Sequence, residues 1–360
     1  MKAKHIWIAV GGSGGHLFPA QVCAHELKAK YPHLKITFIG EGLRNNPFFD
    51  QAIFSCVDVF SATIGAKTWW KFPFAARKII KGLKTSRRLI KIDPPDLVVG
   101  FGSFHSLPPL GAALLQKKPY VLFEPNAALG RVNKLFAKKA SKLYYSMHLP
   151  NQPKAEFVKM PLQSSRLEKI CSKKAKEFYG LSQEATVILI FGGSQGAMTM
   201  NHLAFEALEK LKIQGYSFEV LHLIGPNTDL DLMQKRYAEK GISACVKVFE
   251  DKMQWAFSAA DIAVARCGAS AAMELLEHRI PSIFVPYPFV EEDHQTKNAE
   301  FLKNQHGFGQ IVIQNDHAKK NLLENLEALL QAQEQRRSDT QHVIEGITLA
   351  EAIALDLEKV

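Results

Sequence analysis

The residue best suited to chemistry is His16, which closes the run Gly11-Gly12-Ser13-Gly14-Gly15-His16. A neutral imidazole at the rim of a ligand site can take the proton of an attacking hydroxyl; the competing reading is a histidine that caps the helix start or packs beneath the turn. The glycines let the backbone approach a bound group, and the helix start behind them offers unpaired N–H groups to an anion. The same device recurs at Gly192-Gly193-Ser194-Gln195-Gly196-Ala197. A third turn of small residues, Arg266-Cys267-Gly268-Ala269-Ser270-Ala271-Ala272-Met273-Glu274, suits a diphosphate at a helix start. Glu274 lies about one and a half turns into that helix, where its carboxylate either accepts hydrogen bonds from ribose hydroxyls or simply complements the helix dipole. Asp293-His294-Gln295-Thr296-Lys297-Asn298-Ala299 supplies polar side chains for sugar hydroxyls.

These turns need strands to hold them. Ile6-Trp7-Ile8-Ala9-Val10 reads as a buried strand ending in the first turn, with a helix from Pro19 onward. Strand-like runs follow at 36–40, 56–60, 96–103, 120–126 and 142–146, the last of its half; residues 150–185 read as a linker with a short helix. A second series starts at Ala185–Phe191, with strands near 218–224, 246–249, 261–265 and 282–286. The expected class is α/β: two Rossmann-like, doubly wound domains facing across a cleft, residues 1–162 and 163–344, with a helix at about 345–360 packing back on the first. A nicotinamide enzyme is disfavoured, because Leu17 stands where G-x-G-x-x-G needs its third glycine, although Glu41 is placed to serve as a ribose acid.

The 360 residues carry a net charge of +10, which points to an anionic partner. Much of it lies between Lys67 and Lys91, a stretch without a single acid. There Trp69, Trp70, Lys71, Phe72, Phe74, Arg77 and Lys78 interleave aromatic and basic side chains, a pattern suited to the surface of an anionic membrane. An ordinary surface helix accounts for Ile79, Leu83 and Ile90 but not for the paired tryptophans, and nucleic acid is disfavoured because no recognised binding motif accompanies the patch. The five cysteines are scattered singly, and the histidines show no ligand spacing, so neither a disulfide framework nor a protein-held metal is expected. No apolar run approaches the roughly 20 residues of a membrane span, and the first strand runs straight into the glycine turn without a signal-peptide core, the pattern of a cytosolic chain.

In combination and order, G-G-S-G-G-H, F-E-P-N, G-G-S-Q-G-A, G-A-S-A-A-M-E and H-Q-x-x-N-A resemble the MurG family of peptidoglycan glycosyltransferases over almost the whole chain. The resemblance implies the GT-B architecture and inverting transfer of N-acetylglucosamine from UDP-N-acetylglucosamine to the 4-hydroxyl of lipid I, the undecaprenyl-pyrophosphoryl muramyl-pentapeptide, giving lipid II. It implies His16 as base, with Ser13, Gly14 and Gly15 near the donor diphosphate and the acceptor. Asn126 is implied at the donor sugar, Ser194 at phosphate, and Gln195 and Gly196 in shaping the turn. Gly268 and Ala269 to Met273 present the helix start, Glu274 holds ribose, Gln295 holds the sugar hydroxyls, and backbone near Phe249-Glu250 holds uracil. No cofactor or metal is implied. The aromatic-basic segment agrees with docking as a peripheral protein on the cytoplasmic face of the inner membrane. Two departures stand out: Glu124-Pro125-Asn126 where the family has E-Q-N, and Met160-Pro161-Leu162-Gln163 where it has N-P-V-R, so that Gln163 replaces an arginine and Arg166 is the nearest substitute. Rival readings are a transferase acting on a diacylglycerol-type acceptor, a UDP-sugar epimerase of the same fold, and a lipid- or nucleic-acid-binding module without catalysis.

Overall fold

The fold is given by a computed structural model that describes residues 4–11, 14–63, 72–149, 152, 154–193, 196–288, 291–333 and 345–359. The chain divides into two compact units, residues 1–163 with 344–360 and residues 164–343.

In the first unit β1 (His5–Ala9) leads into α1 (Gly14–Lys30), followed by β2 (Lys35–Gly40), β3 (Ser55–Asp58), α2 (Phe72–Ile92), β4 (Leu97–Gly100), α3 (Leu107–Leu115), β5 (Tyr120–Glu124), α4 (Arg131–Phe136), β6 (Lys142–Tyr145) and β7 (Ala155–Phe157). Among the described residues the strands pair in parallel in the order β3-β2-β1-β4-β5-β6-β7. β1, β4 and β5 are buried at every position, as parallel strands covered on both faces must be. The order reverses between β1 and β4, so the crevice of this sheet opens above their carboxyl ends.

The second unit repeats the plan. It runs through α5 (Ser164–Leu167), α6 (Ser172–Phe178), β8 (Val187–Phe191), α7 (Met198–Ile213), β9 (Glu219–Leu223), α8 (Leu230–Glu239), β10 (Ala244–Lys247), α9 (Met253–Ala259), β11 (Ile262–Ala265), α10 (Ala269–His278), β12 (Ser282–Phe284), α11 (His294–His306), β13 (Gln310–Ile311) and α12 (Ala318–Gln333). Its parallel order is β10-β9-β8-β11-β12-β13, with the reversal between β8 and β11. α13 (Leu349–Glu358) then belongs to the first unit. A capping box between Thr348 and Glu351 starts it, the Tyr144 hydroxyl donates to the Asp356 carboxylate, and Lys142 Nζ lies 3.3 Å from the same carboxylate.

Three elements differ from the sequence reading. α1 begins at Gly14, inside the glycine turn, and carries Pro19 within it; the bond Pro19 forfeits is to the Gly15 carbonyl, close to the helix start. β7 lies within the stretch read as a linker, and β13 was not anticipated; at three and two residues neither is long enough to show a period of two.

α2 packs against its neighbours through Gly82, where an added Cβ would lie 1.8 Å from the Phe60 carbonyl oxygen. A backbone atom cannot step aside, so Gly82→Ala must push the helix outward. The strain, about 1–3 kcal/mol, should outweigh the ~1 kcal/mol that alanine gains in a helix interior. We expect the first unit to unfold at lower denaturant concentration in this variant; an unchanged midpoint would mean that the helix slides without cost.

Candidate functional site

In the first unit the groups collected at the β1/β4 reversal are His16, the glycine turn and the loop after β4. The backbone at Gly11 lies hard against that loop, since a Cβ there would fall 2.6 Å from His105 Cδ2 and 2.7 Å from Ser103 Oγ. Ser103 itself sits at φ 67°, ψ 150°, a region almost reserved for glycine. The Ser106 hydroxyl, donating to the Ser103 carbonyl at 2.8 Å, helps to hold it there. Gly14 and Gly15 open α1, whose first turn contains no acid. A Cβ at Gly15 would touch nothing within 4 Å, so packing does not demand glycine there and the space above it is open.

His16 Nδ1 lies 2.7 Å from the Phe101 carbonyl oxygen. A carbonyl can only accept, so Nδ1 carries the hydrogen and the neutral ring keeps its lone pair on Nε2. Gly102, at φ +77°, makes room for the ring: a Cβ there would stand 3.3 Å from His16 Cε1. The contact thus fixes the tautomer in which Nε2 is the basic nitrogen.

Beside it the buried Glu124 carboxylate organises the loop after β5. Oε1 accepts from the Asn126 N–H at 3.2 Å and from Asn126 Nδ2 at 2.9 Å. Oε2 accepts from the Gly130 N–H and from Asn133 Nδ2, both at 2.9 Å. Asn133 Nδ2 also donates to the Phe123 carbonyl at 2.9 Å. Glu124 and Asn133 were absent from the sequence-derived site; the signal was an acid ending an otherwise apolar strand, where only a local role as acceptor can offset its desolvation.

In the second unit the β8/β11 reversal brings together Gly193 at φ +82°, Gly196 at φ +70° and the start of α10. Gly196 lies so close to the Gly225 backbone that a Cβ would come within 3.0 Å of its Cα. Asn201 Nδ2 donates to the Ile224 carbonyl at 2.8 Å and to Thr228 Oγ1 at 2.9 Å, tying α7 to that loop. α10 starts at Gly268 without a side-chain cap and without an acid in its first turn, so its leading N–H groups face an incoming anion. The Ala272 N–H already donates to the Gly268 carbonyl at 2.9 Å, and the Ala272 and Met273 side chains are buried. This corrects their expected place in the donor contact: the open amides belong to Gly268, Ala269, Ser270 and Ala271, while Ala272 and Met273 pack.

Just before α10, Arg266 is buried and donates through Nη1 to the carbonyls of Val285 and Pro286 at 2.7 and 3.0 Å and to Gln314 Oε1 at 2.7 Å. Burial brings its pKa down to about 10, so it remains a cation at neutral pH, and these acceptors are all neutral. Among the described residues no carboxylate pairs with it, so its charge contributes positive potential at this edge. Asn298, also buried, donates from Nδ2 to the Cys267 carbonyl at 3.0 Å and fixes α11 to the same loop. Gln295 Oε1 accepts from the Tyr287 N–H at 2.9 Å. The Glu250 side chain is turned inward, accepting from the Tyr179 hydroxyl at 3.0 Å and the Lys252 N–H at 2.9 Å, so only its backbone is available to a base. Glu274, buried on α10, lies 3.5 Å from Arg166 Nη1, and desolvation raises its pKa despite that cation.

On α2, Ile90 is buried and Leu83 meets α3 at Gly111, while Phe74 is 74% exposed along with Ile80, Arg77, Lys78, Lys84, Arg87, Arg88 and Lys91. Ser13, Trp69, Trp70, Lys71, Ser194 and Gln195 lie outside the described residues. Among the described residues no helix is long and apolar enough to cross a membrane, and no cluster of His, Cys, Asp and Glu is disposed to hold a metal ion.

Residues 6–145 match the Glycosyltransferase family 28 N-terminal domain, and residues 187–352 match the Glycosyltransferase family 28 C-terminal domain. A Protochlamydia amoebophila protein named UDP-N-acetylglucosamine–N-acetylmuramyl-(pentapeptide) pyrophosphoryl-undecaprenol N-acetylglucosamine transferase is 33% identical over 91% of this chain and 88% of its own. A Geobacter sulfurreducens protein of the same name is 33% identical over 86% of this chain and 85% of its own. In fold, the crystal structure of Acinetobacter baumannii MurG superposes with a TM-score of 0.74 at 24% identity, covering 99% of this chain and 100% of that one. Medicago truncatula UGT71G1 complexed with UDP-glucose superposes with a TM-score of 0.69 at 12% identity, over 99% of this chain and 98% of that one. With both family 28 domains in sequence order and homology along most of its length, the chain belongs to the MurG family of glycosyltransferases.

Proposed function

We propose that this protein transfers N-acetylglucosamine from UDP-N-acetylglucosamine to the 4-hydroxyl of lipid I, giving lipid II. The observation that carries the reading is the tautomer of His16: an imidazole whose Nδ1–H is held by the Phe101 carbonyl has its basic lone pair on Nε2. The names of the relatives support the donor and the acceptor. In the proposed step the acceptor oxygen attacks the anomeric carbon while Nε2 takes its proton. The bond from that carbon to the diphosphate breaks, its electron pair leaves with UDP, and the configuration inverts. The leaving charge is met by the open amides of α10 and by buried Arg266, groups oriented before the substrate arrives. Glu274 accepts from the ribose, Gln295 contacts the transferred sugar, backbone at Phe249-Glu250 holds uracil, and the 192–197 turn with Ser194 takes phosphate. Asn126, held by Glu124, borders the sugar.

The acidless, basic and apolar outer face of α2 is the membrane-docking surface in this reading, together with Trp69, Trp70 and Lys71, which precede the helix in sequence. It places the enzyme peripherally, on the cytoplasmic face of the inner membrane. No nucleic acid is involved.

The deciding assay is transfer of labelled N-acetylglucosamine to a short-chain lipid I, with diacylglycerol as a parallel acceptor. Transfer to diacylglycerol alone would keep the fold and overturn the function. His16→Ala should cut turnover by roughly 10²–10⁴-fold, the usual worth of a general base, while calorimetry finds UDP affinity unchanged. A variant that loses only UDP affinity would remove His16 from the chemistry. Glu124→Gln puts an amide donor against N–H donors. Amide exchange at Gly130 should quicken by about tenfold or more, the worth of a hydrogen bond to a charged group, and activity should fall with it. An ionised carboxylate is the stronger acceptor for ribose hydroxyls, and desolvation raises the Glu274 pKa above the ordinary value. UDP affinity is therefore full above that raised pKa and is lost as pH falls through it, at a pH higher than an ordinary glutamate would give. Titration calorimetry from neutral to mildly acid pH reads the loss, and Glu274→Gln should abolish the dependence.

A further inference from the structure

α10 grips one residue of the preceding segment twice. Glu274 and His278 are four residues apart and so share a face of the helix. Glu274 Oε1 meets Arg166 Nη1 at 3.5 Å, while His278 Nε2, 2.7 Å from the Arg166 carbonyl, donates to it. The chain just beyond is pinned as well, the Ile170 N–H donating to Ser258 Oγ of α9 at 3.0 Å. The Arg166 backbone is therefore anchored within reach of Glu274.

The pair is not a closed salt bridge. The contact is long and single, and the Arg166 side chain is 20% exposed while that of Glu274 is 6% exposed. Among the described residues this is the one hydrogen bond the Glu274 side chain makes. A carboxylate buried this far, with one oxygen engaged by a cation at the edge of reach, has capacity to spare. Its helix presents open amides about one turn away, on the side toward which helical side chains lean.

We propose that Arg166 is a positioning residue for the ribose subsite: by engaging Oε1 it keeps the Glu274 carboxylate charged and turned so that Oε2 receives the ribose hydroxyls of a nucleoside diphosphate. The inference rests on the reading of this edge as the UDP-sugar site. It differs from a direct role at the phosphates, because it predicts that Arg166 matters only as far as the ligand has hydroxyls for Glu274 to hold.

The test is calorimetric binding of UDP and of 2′,3′-dideoxy-UDP to the whole protein. The wild type should prefer UDP by about 10–100-fold, the range for hydrogen bonds to a charged acceptor, and Glu274→Gln should bring the ratio near unity. Arg166→Gln should collapse the ratio to within about threefold of unity while changing dideoxy-UDP affinity by no more than about twofold, since the lost hydrogen bonds to the charged acceptor are ones dideoxy-UDP never makes. Equal loss of both nucleotides, with the ratio kept, would make Arg166 a phosphate ligand or a structural brace and overturn the proposal. Arg166→Lys, which shortens the side chain and loses the planar fork, should cost about three- to tenfold of the ratio. If the glutamine variant does not fold, the lysine variant decides, and a wild-type ratio there overturns the proposal. A wild-type protein indifferent to the ribose hydroxyls would instead overturn the donor-site reading itself, and the inference with it.

Discussion

A parallel sheet opens a crevice only where neighbouring strands send their chains to opposite faces, and each unit of this protein has one such reversal among its described strands. In both units it falls beside the first strand of the series, with a glycine turn at its edge. His16, Phe101 and Gly102 stand at the β1/β4 reversal, and Gly193, Arg266 and Gly268 at the β8/β11 reversal. The rest of each unit can be understood as what keeps those strand ends in place. Its core is built largely of Val, Ile, Leu and Phe, while several of the buried polar residues, among them Asn133, Asn201, Arg266 and Asn298, donate to backbone carbonyls at the edge.

The polar interruptions show how such an edge is made stiff. Glu124 and Arg266 are both buried ionisable groups next to strand ends, and both spend their hydrogen bonds on loops. For Glu124 the partners are N–H groups, so the carboxylate acts as a hub that the loop wraps around. For Arg266 they are carbonyl and amide oxygens, and among the described residues no acid forms an ion pair with it. Burying a cation among neutral acceptors costs stability. The depressed pKa records that cost, and the positive potential left at the α10 start is what the cost secures. Ser103, held in a backbone region suited to glycine, is a smaller instance of strain kept at the same kind of place.

How much of this was legible in the sequence depends on scale. Strands of buried Val, Ile and Phe ending in glycine announce themselves, because burial on both faces and a tight turn each impose a composition; the doubly wound plan of both units followed from them. The open amides at Gly268 to Ala271 were legible for the same reason. Ala272 and Met273 were not separable from them, since a helix's inward and open positions share one run of small residues until the backbone bonds are traced. Glu250 was recognisable as a neighbour of the site but not as a side chain turned inward. Glu124 with Asn133, and Arg166 with Glu274, pair residues distant in the chain or hidden in a loop. One-dimensional spacing carries no sign of such partners.

α13 belongs to the first unit yet follows the whole of the second in the chain. During synthesis, at roughly 5–20 residues per second, the first unit waits on the order of 10–40 s between the emergence of its last strand and that of its final helix. Through that interval the seat of α13, around Tyr144 and the side of α1, is uncovered. A chain built in this way finishes its first half last. Until then the face that α13 covers, with Tyr144 on it, has only solvent for a partner.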